Sequence, residues 1–322
     1  MKLSKATEGF LLAMRAGGYS KSTINLYRYV LEYLSNFLHD PEVSSIKLDD
    51  LNRYFVWLQD EYQPKRKNGN KEPLSGGTLQ NHWKGIRAFY NWAVDGLHLK
   101  KRPDARLKLP EKNPKIIHPL TKDEVAALLS AAEYTREANT GGRQKFRMRR
   151  RTADRDIGLL LVLLDTGLRA GEAGRLKIRD YNPKTGEIYV APHGNSMRKT
   201  KSRPVYVGKA GQKVLWRYLA GRKDAKPDDP LFLSEGNRAM DNNSIRLLLA
   251  DLGVKAGIAN VHPHRLRHTF AIEYLRNGGD VFTLQRILGH SSLEMVQKYL
   301  ELSSADAQAA HRKASPADNW KL

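Results

Sequence analysis

Apolar residues in the first hundred positions recur at helical spacing. Ile24, Leu26, Tyr27, Val30, Leu31, Leu34, Phe37 and Leu38 trace one face of a helix that Ser20 or Ser22 would cap and Asp40-Pro41 would stop. The pattern returns from Leu48 to Tyr62, and again from Thr78 to Leu97 with Trp83, Phe89, Tyr90 and Trp92. No alternating stretch interrupts it, so this region reads as a small helical domain. Residues 100–115 break the period: Pro103, Pro110 and Pro114 oppose a helix, and lysines and arginines crowd between them. Periodicity resumes at Leu120, where Thr121-Lys122-Asp123-Glu124 has the form of a capping box. Ile157 to Leu164 reads as a buried apolar helix. Glu187–Val190 and Arg203–Val207 read as two strands of a hairpin around a loop rich in Lys and Arg. Helices return beyond Leu231-Phe232-Leu233. The expected fold is mainly α with a small antiparallel β-sheet: a helical domain over 1–105, a basic linker over 106–117, and a mixed α+β domain with a C-terminal tail over 118–322.

Charge narrows the function classes. Lys and Arg number 55 against 34 Asp and Glu, a formal charge of +21, which calls for a polyanionic partner. Arg143 to Arg151 is a dense basic cluster that reads as a phosphate-facing loop or helix end. The positive charge is spread along the chain rather than gathered on one amphipathic helix, which favours nucleic acid over an acidic membrane. The longest apolar run, Ile157 to Leu164, is far short of the ~20 residues a bilayer crossing needs. No cysteine is present, which excludes disulfides, thiolate metal sites and a cysteine nucleophile. A cytoplasmic, nucleoid-associated location is the expectation.

Three segments carry candidate chemistry. In Val261-His262-Pro263-His264-Arg265-Leu266-Arg267-His268, Pro263 suits a first helical turn, so His264, Arg267 and His268 share a face. A histidine pair four residues apart can ligate zinc, but Arg267 would lie between the ligands. An imidazole beside a guanidinium suits a phosphate instead, and histidines serving only the helix are the plainer reading. In Thr166-Gly167-Leu168-Arg169-Ala170-Gly171-Glu172 a buried helix ends and Arg169 follows at once, at the rim of a core. In Leu288-Gly289-His290-Ser291-Ser292-Leu293-Glu294, Gly289 ends one helix and Ser291 with Glu294 would cap the next, which carries Tyr299. By spacing alone Tyr299 reads as a core aromatic.

Taken in order, TGLRAGE from Thr166, HRLRH from His264, LGH from Leu288 and a tyrosine nine residues after that histidine resemble the tyrosine recombinases, the phage-integrase and Xer-like class. The resemblance spans nearly the whole chain. It implies a SAM-like core-binding domain in front of a catalytic domain, in the simple two-domain form without an arm-binding domain. It assigns Arg169 and Arg267 to clamp the scissile phosphate, His264 to acid–base work, His290 to a phosphate hydrogen bond, Glu172 to an accessory position and Tyr299 to nucleophilic attack. The family's hairpin lysine, general acid for the departing oxygen, falls on Lys199. Aligning the second strand strictly puts Arg198 there, and Lys201 is the other alternative; an arginine is a poor proton donor.

The resemblance further implies double-stranded DNA with an inverted-repeat core site as substrate, a homotetramer on two DNA partners, a Holliday junction, accessory factors for some systems, and no metal, cofactor or ATP. The last agrees with the lack of a GxxxxGK[ST] motif. The tail after Tyr299, including Ala305 to Ala314, would dock on a neighbouring subunit. A type IB topoisomerase and a DNA-binding accessory factor without catalysis are the rival readings. Integration, transposition and dimer resolution are not distinguished.

Overall fold

A computed structural model of the chain describes residues 1–64, 66, 69, 71–99, 101–111, 118–135, 137, 146–194, 202–234, 236–289, 311 and 315. They fall into two compact units, one of Met1–Lys115 with His193–Lys199 and one of Ile116–Pro192 with Thr200–Leu322.

The first unit is built from α1 (Leu3–Ala16), α2 (Lys21–Phe37), α3 (Leu48–Asp60) and α4 (Gly76–Gly96). Hydroxyl caps start two of them: Ser20 Oγ accepts from the Thr23 amide at 3.2 Å and Ser75 Oγ from Thr78 at 3.3 Å. At the head of α3, Asp50 accepts from the Lys47 amide at 2.9 Å. Leu3, Phe10, Leu31, Leu34, Leu51, Tyr54, Ile86, Phe89 and Tyr90 fill the core, with Phe10 edge-on to Phe89. Buried His82 accepts from or donates to the Tyr54 hydroxyl at 2.8 Å.

Part of the proline-broken basic stretch is anchored rather than free. Pro103–Arg106 forms a 3-10 turn, Leu107 is buried with the helical core, and the carbonyls of Leu107 and Pro110 accept from Trp83 Nε1 at 3.0 Å and Gln80 Nε2 at 2.9 Å.

The second unit packs α5 (Lys122–Glu133), α8 (Lys209–Ala220) and α10 (Pro263–Arg276) against α6 (Ala153–Thr166), whose Leu159, Val162 and Leu163 are fully buried, and α9 (Asn242–Ala256) packs on α5. The Thr121–Glu124 capping box forms in both directions, at 3.1 and 2.9 Å. β1 (Glu187–Val190) and β2 (Arg203–Tyr206) pair antiparallel with Glu187 opposite Tyr206, turning Ile188, Val190 and Val205 inward and Tyr189 and Tyr206 outward. A short helix, α11 (Val281–Leu288), packs on α10 through Phe270, Ile272, Leu284 and Leu288. In the described part of the basic cluster, Arg149 pairs with Asp154 at 2.7 Å and Arg150 with buried Asp156 at 3.2 Å, so these two arginines serve the fold.

Candidate active site

The site grows from three helix ends. α6 stops at Gly167, which takes a left-handed conformation (φ +60°) and caps the helix by donating to Leu163. The tight turn that follows leads to Arg169, the N-cap of α7 (Ala170–Ala173), a single helical turn. α11 ends the same way, at Gly289 (φ +64°). The third end is the start of α10. There Pro263 occupies the first turn, and His262 caps it, its Nδ1 accepting from the Arg265 amide at 3.2 Å.

One turn into α10, Arg267 is 3% exposed and ties the three ends together. It donates from Nη1 to the Gly167 carbonyl at 2.6 Å and from Nη2 to the Leu288 carbonyl at 2.8 Å. Both acceptors are C-terminal helix carbonyls, where a cation is favoured by the helix dipole. Arg267 is thereby locked before any ligand arrives.

Arg169 is held by Glu172. The carboxylate accepts the Arg169 amide at 2.9 Å on Oε2 and Arg169 Nη1 at 3.3 Å on Oε1. Glu172 is itself buried and gripped bidentately by Arg203, with Nη1 at 3.1 Å and Nη2 at 2.9 Å, while Arg203 Nε donates to the Ile287 carbonyl at 2.6 Å. Burial pushes the Glu172 carboxyl upward; the hydrogen bonds and charges of Arg203 and Arg169 outweigh it and hold it below the ordinary carboxylate value.

His264 lies beside these arginines. Its burial, and then the charges of Arg267, His262 and Arg169, push its pKa below the ordinary 6.5. Its surroundings therefore favour the neutral imidazole over the imidazolium. His268, one turn on, has its ring 6.4 Å from that of His264 and is pushed to about 4 by burial and by His264 and Arg267. Among the described residues no group of three or more His, Cys, Asp and Glu side chains is placed to hold a metal.

The structure thus brings Arg169, Glu172, His264 and Arg267 together from segments about a hundred residues apart. Lys199, with its alternatives Arg198 and Lys201, and His290 and Tyr299 lie outside the described residues. Arg203 is the residue sequence reasoning passed over as one more basic strand position. Strand alternation carried the signal: Arg203 shares the inward face of β2 with Val205, and an inward charge requires a partner.

Residues 118–306 match the phage integrase family, and residues 7–97 match the N-terminal SAM-like domain of phage integrases. The chain belongs to the phage integrase family. Members of this tyrosine recombinase family cleave and rejoin DNA. This integrase-family chain is 26% identical over 303 residues to tyrosine recombinase XerC of Leptospira interrogans, covering 92% of this chain and 88% of that protein. It is 31% identical over 232 residues to XerC of Pelobacter propionicus, covering 72% and 70%. In fold it resembles the Tn1549 transposon integrase in complex with circular intermediate DNA (TM-score 0.70, 21% identity, 93% and 95% covered). It likewise resembles a lambda integrase dimer bound to a COC′ core site (TM-score 0.67, 16% identity, 93% and 95% covered). Among the described residues no helix of this integrase-family chain is long and apolar enough to cross a membrane.

Proposed function

We propose that this chain is a site-specific DNA recombinase that cuts and rejoins strands through a 3′-phosphotyrosine at Tyr299. The observation that carries the reading is the convergence of Arg169 and of buried, pre-anchored Arg267 beside His264. A phosphodiester is already anionic and gathers charge as it is attacked, so two fixed guanidiniums supply the stabilisation the reaction needs. Loss of one such donor costs about 10²–10³ in rate.

In this reaction Tyr299 Oη attacks the scissile phosphorus and its proton passes to His264. The P–O5′ bond breaks, Lys199 protonates the departing 5′-oxygen, and His290 hydrogen-bonds a non-bridging oxygen. The bond energy persists in the phosphotyrosine ester, so a 5′-hydroxyl from the partner strand reverses the step without ATP. The domains at 1–105 and 118–322 each bind a duplex with an inverted-repeat core, residues 106–117 connect them, and four chains act on two DNA partners through a Holliday junction. Phosphate contacts from a chain of charge +21 provide affinity, and base contacts choose the site.

The test uses two plasmids of different size, each bearing the native DNA that flanks the gene. Recombinant plasmids joined at one site are expected. Relaxed plasmids with no intermolecular product would contradict the reading in favour of a swivelling topoisomerase, and bound but uncut plasmids in favour of a non-catalytic factor.

A further inference from the structure

Arg203 uses its whole guanidinium inside the protein. Two nitrogens take both oxygens of Glu172 at 3.1 and 2.9 Å, and Nε takes the Ile287 carbonyl at 2.6 Å. Its side chain is 8% exposed and that of Glu172 3% exposed, whereas the side chain of Arg169 is 39% exposed. An arginine that exposed does not hold one rotamer by packing. Its heading is set by the hydrogen bond to Glu172 Oε1, and the heading of Glu172 is set in turn by the Arg203 fork.

We infer that Arg203 is a positioning residue for DNA cleavage, acting on Arg169 through the carboxylate the two share. The inference rests on the recombinase reading above. The contact to Ile287 adds a second effect. Arg203 and Arg267 hold consecutive carbonyls, those of Ile287 and Leu288, in the last turn of α11. A Cβ built at Gly289 would lie 3.1 Å from Arg203 Cζ, so the guanidinium also packs against the exit of that helix. A merely structural role is the weaker account, because a buried ion pair is a poor net stabiliser while its bidentate geometry is directional. Lysine at position 203 would keep the charge but cannot form the fork.

The experiment measures single-turnover formation of the covalent protein–DNA adduct, at saturating protein, on the duplex recovered from the plasmid assay. Arg203→Lys is expected to bind that duplex within about threefold of wild type and to form the adduct about 100-fold more slowly, the loss expected when a reacting group is displaced by an ångström. Combined with Arg169→Lys, it should add no further loss, because both act through one group. Glu172→Gln, which keeps the side-chain shape, serves if Arg203→Lys melts early, and its loss should likewise vanish in the Arg169→Lys background. Wild-type cleavage by Arg203→Lys, or defects that multiply with Arg169→Lys, would overturn the inference. Wild-type protein that forms no adduct at all overturns the recombinase reading itself, and this inference with it.

Discussion

Gly167 offers the sharpest separation of backbone cost from packing cost. Gly167 and Gly257 both end helices in the left-handed conformation, at φ +60° and +71°. Replacing either with alanine carries a backbone penalty of about 1–2 kcal/mol. Their surroundings differ. A Cβ at Gly257 meets nothing within 4 Å, whereas at Gly167 it lies 2.5 Å from Phe270 Cδ1 and 2.8 Å from Leu288 Cδ2. Both neighbours belong to the small buried cluster that seats α11, and overpacking there adds about 1–3 kcal/mol. The totals are about 1–2 kcal/mol for Gly257→Ala and about 2–5 kcal/mol for Gly167→Ala. At about 2–4 °C per kcal/mol for a domain of this size, Gly167→Ala should melt roughly 2–12 °C below Gly257→Ala by calorimetry. The same turn presents the carbonyl that anchors Arg267, so single-turnover DNA cleavage by Gly167→Ala should fall about 100-fold at a temperature where it is folded, and that by Gly257→Ala should not. Equal melting temperatures for the two variants would refute the packing argument. Full cleavage by Gly167→Ala would refute the anchoring argument.

Three further outcomes are expected. Burial pushes His82 to about 4, below its unfolded value of about 6.5, so the folded chain prefers the neutral form. That preference contributes at most about 3 kcal/mol above pH 6.5 and is lost as pH falls toward 4, so His82→Gln should flatten the decline of the urea midpoint between pH 7 and 4.5; an unchanged slope would contradict this. A plot of log K against log[salt] for DNA binding should be steep, with a loss of about 10³–10⁵ between 50 and 200 mM if six to ten phosphates are neutralised, whereas a flat plot would deny a phosphate-dominated interface. Lys199→Ala should slow cleavage far more than Arg198→Ala and be rescued by a 5′-phosphorothiolate, whose leaving group needs no proton; equal losses or no rescue would move the general acid elsewhere.

The parts of this molecule that were legible in its sequence are those governed by local rules. The box at Thr121–Glu124, Pro263 at a first turn, and the glycines that end α6 and α11 all appear where spacing put them, and of the two serines offered as the cap of α2, Ser20 fills the position. The hairpin and its inward Val205 follow from alternation. What spacing could not supply is pairing between distant segments. Arg203 looked like one basic residue among many, and its role depends on Glu172, 31 positions earlier, and on a helix end 84 positions later. Arg149 and Arg150 belonged to a basic cluster read as phosphate-facing, yet their carboxylate partners sit on α6. The proline-broken stretch after α4 looked like a free tether, and the carbonyls of Leu107 and Pro110, invisible to composition, dock it on α4. His264 shows both sides: its face with Arg267 was legible from the helical period, the bias toward its neutral form only from burial and the charges around it.

Covalent capture tests the central claim most directly. Wild type and Tyr299→Phe are expressed in cells carrying the native flanking DNA. Protein–DNA adducts are then trapped with denaturant, and the attached DNA end and the modified peptide are sequenced. The account predicts discrete sites in wild type only, with a 3′-phosphate esterified to Tyr299. Undiminished adducts from Tyr299→Phe, or a linkage through another residue, would contradict it.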